Sequence, residues 1–223
     1  MDAHEPQHRP PVVAGLVSTI IPVHNRPELL REAVASVLEQ AHRPIEIVIT
    51  DDGSTDDTPA VLAELAAAHE GVVRVQRHEV AKGPGAARES ARRIARGAFI
   101  QYLDSDDVLL PGKFEAQVAA LEDAGPLAVA FGRTHLCWYG EEPEPDPRKH
   151  TGEPLDALFP ILLRGRVWDT ATPLYTRALT DRVGPWLDTT HDEDWEYEAR
   201  AAREAPELHW VDQRVSLHRH HPG

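Results

Sequence analysis

The sequence predicts an α/β fold, a single domain whose mainly parallel central sheet carries helices on both faces. Three observations predict it. Between residues 16 and 103, short apolar runs alternate strictly with segments of helical period, which is the pattern of a parallel sheet covered by helices. The apolar runs are continuous and rich in β-branched residues, as fully buried strands are. The polar clusters His24–Asn25, Asp51–Asp52 and Asp104–Asp107 each fall at the end of such a run. Sheets of this kind bind ligands beyond the carboxyl ends of their strands.

Each element has its own signal. LVSTIIPV (16–23) reads as the first strand. Pro27 marks the first turn of a helix with Leu30, Val34 and Val37 at helical spacing. IEIVIT (45–50) is the second strand, and Thr58 with Pro59 opens a helix carrying Val61, Leu62 and Leu65. VVRVQ (72–76) is the third strand. GPGAARESARRIARG is a helix closed by Gly97, and AFIQYL (98–103) is the fourth strand. The second half is less regular. Pro111 starts a helix through Leu121, and LAVAFG (127–132) is a strand. GEEPEPDPRKH (140–150) reads as a loop, and the stretch 140–152 is expected to be weakly ordered without ligand. A short amphipathic helix is expected around 153–165 and another helix over 189–205, with one or two strands in ELHWVDQRVSLHRHH.

Composition narrows the function. No apolar run approaches the roughly 20 residues that span a bilayer, and residues 1–15 read as a flexible leader without a signal peptide's apolar region. The single cysteine, Cys137, rules out an internal disulfide framework and fits a cytoplasmic protein. A formal net charge of −14 with no basic stripe argues against a nucleic-acid partner. A phosphate-bearing ligand would therefore need a bridging cation.

The stretch FIQYLDSDDVLLPGKF (99–114) sharpens that point, because a strand runs straight into Asp104, Asp106 and Asp107. Such acids either cap backbone amides in a turn or grip a hard cation such as magnesium or manganese. Four segments, in order, resemble the family 2 inverting glycosyltransferases of GT-A fold. They are VSTIIPVHNRPELLREAVASVLEQ, IEIVITDDGSTDDT, GPGAARESARRIARGAFIQYLDSDDVLLPGKFE and HDEDWEYEAR. The resemblance covers residues 16 to 221 and implies a nucleotide-diphosphate-sugar donor, an acceptor hydroxyl, a divalent metal (Mn or Mg) and single displacement. Residues 16–110 would then form the nucleotide-binding half and 111–223 the acceptor-binding half.

The resemblance also implies roles. Pro22, His24 and Asn25 match the loop beside the nucleotide, Asp52 the acid that recognises the base, and Arg88 an arginine near the donor. Asp104, with Ser105 beside it, matches the ribose or metal side of the Asp-x-Asp motif, and Asp106 the direct metal ligand. Asp194 matches the base that deprotonates the acceptor, and the late His221 falls where some such enzymes bring a histidine to the metal. Each has a plainer alternative. Asp52 suits an Asx turn, Arg88 a solvated helix charge, and the terminal histidines a solvated strand end. Thr190 and Glu193 suit a capping box. Trp138, Trp168, Trp186 and Trp195 suit either sugar stacking or core packing. The chain departs from the family's Ala-Arg-Asn-x-Gly by reading Ala87-Arg88-Glu89-Ser90-Ala91. No GxGxxG or GxxxxGK[ST] follows a strand, which counts against dehydrogenase and P-loop chemistry. A sugar nucleotidyltransferase and an inactive sugar-nucleotide-binding homologue are the rival readings; an oligomer is compatible with all of them.

Overall fold

In the computed structural model, which describes residues 10–138, 140–187 and 192–221, four strands carry the first half. They are β1 (Val13–Val23), β2 (Ile45–Asp51), β3 (Val73–Arg77) and β4 (Gly97–Tyr102). They lie in the order β3-β2-β1-β4 and are all parallel. The connecting helices are α1 (Pro27–Leu38), α2 (Thr58–Ala68) and α3 (Pro84–Ile94), each with proline in its first turn. Leu30, Ala33, Val34 and Val37 of α1 are buried at helical spacing. They share one core with Leu62 and Leu65 of α2. Burying each leucine or valine contributes about 1.5–3 kcal/mol, which is why the apolar periodicity was sufficient to place these helices.

The second half completes the sheet as β3-β2-β1-β4-β7-β6-β8-β5. Here β5 is Val108–Leu109, β6 Ala128–Trp138, β7 Leu174–Thr176 and β8 Glu207–His220. Strand β7 runs antiparallel between β4 and β6, while β6 and β8 are parallel. Helix α4 (Lys113–Glu122) joins the α1 side through Phe114, Val118 and Leu121. Helices α5 (Arg177–Val183) and α6 (Glu193–Arg203) cover the α3 side through Leu179, Val183 and Tyr197. The expected helices on both faces of a mainly parallel sheet are present. Strand β8 matters for function, because it returns residues 218–221 to the carboxyl end of β4. No described helix is long and apolar enough to cross a membrane.

Three expectations are corrected. Strand β1 starts at Val13, whose N–H donates to the Arg96 carbonyl (2.8 Å), so the 1–15 leader is too long; residues 1–9 lie outside the described ones. The 153–165 segment holds only one 3-10 turn, Ile161–Leu163. Pro154 and Pro160 interrupt its apolar spacing, and each removes a donor and disfavours helix in the preceding residue. The 140–152 loop is tied along β6 over its second part. Glu144 N donates to Leu136 O (2.8 Å) and Arg148 N to Thr134 O (2.7 Å), while Arg148 and Lys149 both pair with Asp169.

Candidate active site

The site begins with a turn. Gly53 has φ +73°, and a Cβ there would meet the Ala81 backbone nitrogen at 2.7 Å. Glycine alone therefore lets the 80–83 backbone close onto the end of β2. As a result Asp52 is clasped. Its carboxylate accepts from Lys82 N (2.9 Å), Gly83 N (2.8 Å) and His78 Nδ1 (2.7 Å). The Asx-type bond expected of Asp52 belongs instead to Asp51, which accepts from Ser54 N at 2.9 Å. Lys82 N also reaches the second carboxylate oxygen (3.1 Å), so the chain itself fills the roughly four acceptor positions of Asp52, which lines the cleft as a fully clasped acid. His24 Nδ1 donates to the Asp52 carbonyl (2.8 Å). Asn25, at φ +52°, fastens β1 to this turn by donating to Ser54 Oγ and accepting from Thr55 N.

The acids at the end of β4 have cationic partners within the chain. Arg88, 4% exposed, donates to Asp104 Oδ1 (2.5 Å) and Glu193 Oε1 (2.9 Å), and its guanidinium lies 4.7 Å from the centre of the Trp186 ring. It is a buried clamp, not a solvated charge. Burial opposes ionisation of Asp104, but the Arg88 charge and hydrogen bond outweigh it and hold the carboxyl below its usual range. Asp106 Oδ2 is bound by Arg26 and lies 3.1 Å from His221 Nε2. Asp107 is buried, accepts from Arg219 N (2.8 Å) and lies 3.2 Å from His218 Nδ1. Burial pushes its carboxyl up to about 6, with His218 offsetting part of the rise.

A cleft of about 370 Å³ joins these groups. Of the residues singled out from the sequence, Pro22, His24, Asp52, Arg88, Asp104, Ser105 and Asp106 line it, together with Arg26 and His218. Asn25 and His221 instead line an adjoining hollow with Arg26. Among the described residues no three His, Cys, Asp or Glu side chains converge as a metal site. Asp106 and His221 nevertheless bring one carboxylate and one imidazole together, with Asp104 on the same cleft. Such a partial set fits a cation that takes its remaining ligands from water and phosphate oxygens, and the residues present are compatible with that role.

Asp194 lies outside the cleft lining. It sits at the start of α6, where Oδ1 accepts from Trp195 N (2.8 Å) and Oδ2 is bound by Arg166. The acids of α6 are divided among cations: Glu193 goes to Arg88, Asp194 and Glu198 to Arg166. The capping-box reading of Glu193 is corrected, since its carboxylate reaches Arg88 and α6 starts at Asp192 without a side-chain cap; Thr190 lies outside the described residues. Trp168 and Trp186 belong to the core, at 1% and 6% exposure, and Trp195 donates its indole N–H to Leu162 O. Trp138 is half exposed and stacks on His220.

Glu198 gives the site a pH signature. Its carboxylate accepts from Arg166 Nε (2.8 Å) and Val167 N (3.2 Å). Burial pushes it up to about 7 from 4.5, with Arg166 offsetting only part. The native state therefore holds this proton more tightly than the unfolded chain. That stabilisation is full below the unfolded value and is lost as pH rises through about 7. Glu198→Gln, uncharged throughout, is expected to lose about 2 kcal/mol less stability than wild type between about pH 5 and pH 8. Urea unfolding at both values checks this, and parallel curves for the two proteins would contradict it.

A sheet of this order, with an acid-and-arginine cleft at its carboxyl edge, is the architecture of the GT-A glycosyltransferases. Residues 18–176 match the glycosyl transferase family 2 profile, and the chain belongs to that family. An Escherichia coli UDP-Glc:alpha-D-GlcNAc-diphosphoundecaprenol beta-1,3-glucosyltransferase is 34% identical over 106 residues, 48% of this chain and 41% of that one. The structure of S. aureus TarS 1–349 in complex with UDP-GlcNAc superposes with a TM-score of 0.71 at 22% identity, covering 93% of this chain and 59% of that one. A mannosyltransferase from Pyrobaculum calidifontis in complex with GDP-Man and Mn2+ gives 0.70 at 19% identity, covering 96% and 60%. The chain therefore spans 41 to 60% of the length of these three chains, and 36% of the longer TarS chain. Arg26, Arg166 and the Lys82–Gly83 amides are site groups that sequence reasoning missed. Arg26, next to Asn25 in HNRP, and Gly83, the first residue of GPGAARES, stood in segments already marked, whereas Lys82 and Arg166 did not.

Proposed function

We propose that this domain is an inverting, metal-assisted glycosyltransferase that moves a sugar from a nucleotide-diphosphate-sugar to an acceptor hydroxyl, with Asp194 as general base. The observation that carries this reading is the single cleft joining Asp52, Arg88, Asp104 and Asp106 at the carboxyl edge of the sheet. Its volume falls within the range of roughly 300–1,000 Å³ that small ligands occupy. The TarS and mannosyltransferase complexes hold nucleotide-diphosphate sugars, which supports the same donor class here. Asp52 and its clasping loop would receive the base, while Arg88 and Arg26 supply positive charge near the diphosphate.

Asp106 and His221, with Asp104, are the residues that would hold a divalent cation. When bound, that cation neutralises the diphosphate and stabilises it as a leaving group. The acceptor oxygen forms its bond to the anomeric carbon as the bond to the diphosphate breaks, and its proton passes to an Asp194 carboxylate oxygen. Arg166, shared with Glu198, orients that carboxylate. A cytoplasmic setting is proposed from the lone, buried Cys137.

The test is to incubate the protein with a panel of α-linked nucleotide sugars and acceptor glycosides and to read the product by NMR. A β-linked product is expected. An α-linked product would refute inversion, and release of nucleotide without any transfer product would favour the inactive-homologue reading.

A further inference from the structure

We propose that Arg26 and a divalent cation are alternative partners of Asp106, and that cation binding hands the Arg26 guanidinium over to the donor's diphosphate. This rests on the metal reading of Asp106 given above.

Asp106 Oδ2 is approached by two groups at once, Arg26 Nη1 and His221 Nε2. Asp106 lines the cleft and His221 the hollow beyond it, and Arg26 lines both. A neutral imidazole can share a cation with a carboxylate. A guanidinium cannot, because two cations within ~4 Å repel by several kcal/mol in a partly buried site. One of them must leave.

The arginines around the cleft differ in their freedom to do so. Arg88 is held by Asp104, Glu193 and the Trp186 face. Arg219 is held by Glu32 and by the Asp106 carbonyl. The Arg26 side chain is 40% exposed. Its backbone stays anchored at the start of α1, where its N–H donates to Thr58 Oγ1 (3.1 Å) and its carbonyl accepts from Leu30 N. The side chain can therefore swing without disturbing the fold. A planar guanidinium is well matched to two phosphate oxygens, and the cleft offers Arg26 that partner once a diphosphate is in place.

Calorimetry with MnCl2 alone, and then with pyrophosphate in the presence of Mn2+, tests the exchange on the full chain. Arg26→Gln removes the competing charge and is expected to bind Mn2+ about tenfold more tightly and pyrophosphate about tenfold more weakly. Arg26→Lys keeps the charge but not the fork, so Mn2+ affinity should stay near wild type while pyrophosphate affinity falls. Unchanged or weakened Mn2+ binding by Arg26→Gln would overturn the proposal. So would tightened Mn2+ binding with pyrophosphate affinity unchanged, since no hand-over would then occur. Asp106→Ala separates the two levels of inference. If wild type binds Mn2+ no better than Asp106→Ala, the metal reading itself fails, and the exchange with it.

Discussion

Asp194→Asn is expected to lower the rate of sugar transfer by roughly 10²–10⁴-fold, the usual worth of a positioned base, while leaving nucleotide affinity nearly intact. The substitution keeps the shape of the side chain and one acceptor oxygen for the Arg166 contact; it removes the ability to take a proton, together with the negative charge facing Arg166 and the acceptor for Trp195 N. Two features separate this from a structural effect. Asp194 lies outside the lining of the Asp52–Arg88–Asp106 cleft, in a small recess with Arg166, Thr170 and Glu198, so its loss would not strip a nucleotide in that cleft of a contact. The start of α6 is also tied to the cleft independently, through Glu193 and Arg88. Measuring turnover and nucleotide binding in the same variant is decisive. Transfer near wild type would reduce Asp194 to a partner of Arg166 and make Asp192 or Glu193 the next candidate base. A parallel fall in both quantities would make α6 a structural support.

The part of the fold that was legible in the sequence is the part in which each element is long and buries a continuous apolar surface. Strand β2 is buried throughout, β1 over its last eight residues and β4 over four of its six, and so they leave mainly apolar runs. Strand β5 has two residues and β7 three, too few to show any period. Helix α5 starts within one residue of β7, at Arg177, with Thr176 capping it by accepting from Leu179 N. Nothing in LYTRALTDRV marks where extended chain ends and helix begins. The 153–165 segment misled for the opposite reason, since its apolar residues are spaced for a helix that its prolines prevent.

The site divides along a similar line. Residues at strand ends were legible because topology alone carries them to one edge, as for His24, Asp52 and Asp104. Their partners were not. Arg166 reaches Asp194 across 28 positions and Arg88 reaches Glu193 across 105, and no local pattern encodes such pairings. The acid-rich run HDEDWEYEAR therefore does not disclose the surroundings of Asp194. Its nearest charged partner is a cation, and the other described acids of that stretch are largely neutralised by Arg88, Arg166 and Arg200. The GPGAARES departure has a comparable explanation. Glu89 bonds Arg92 and Arg93, which fastens α3 internally, while Arg88 lines the cleft.

Asp106→Ala is expected to abolish the dependence of nucleotide-diphosphate affinity on Mn2+ or Mg2+. Wild type places three carboxylates, Asp52, Asp104 and Asp106, on the cleft that the anionic donor would enter. Arg88 offsets Asp104, whereas Asp106 shares its charge with the more exposed Arg26. A donor diphosphate adds further negative charge, so a bridging cation should strengthen wild-type binding substantially. Even outer partners of metal ligands cost 10–100-fold in metal affinity when lost, so removal of a direct ligand should cost on the order of 100-fold or more. The variant has a second, opposite signature. Without Asp106, the Arg26 charge is left uncompensated at the cleft, and with chelator present the variant should bind the nucleotide diphosphate more tightly than wild type does. Calorimetric titrations with Mn2+ and with chelator give both readings from one preparation. Wild-type affinity that is the same in both conditions would refute the metal role of Asp106, and Arg26 and Arg88 would then carry the counter-charge for the diphosphate.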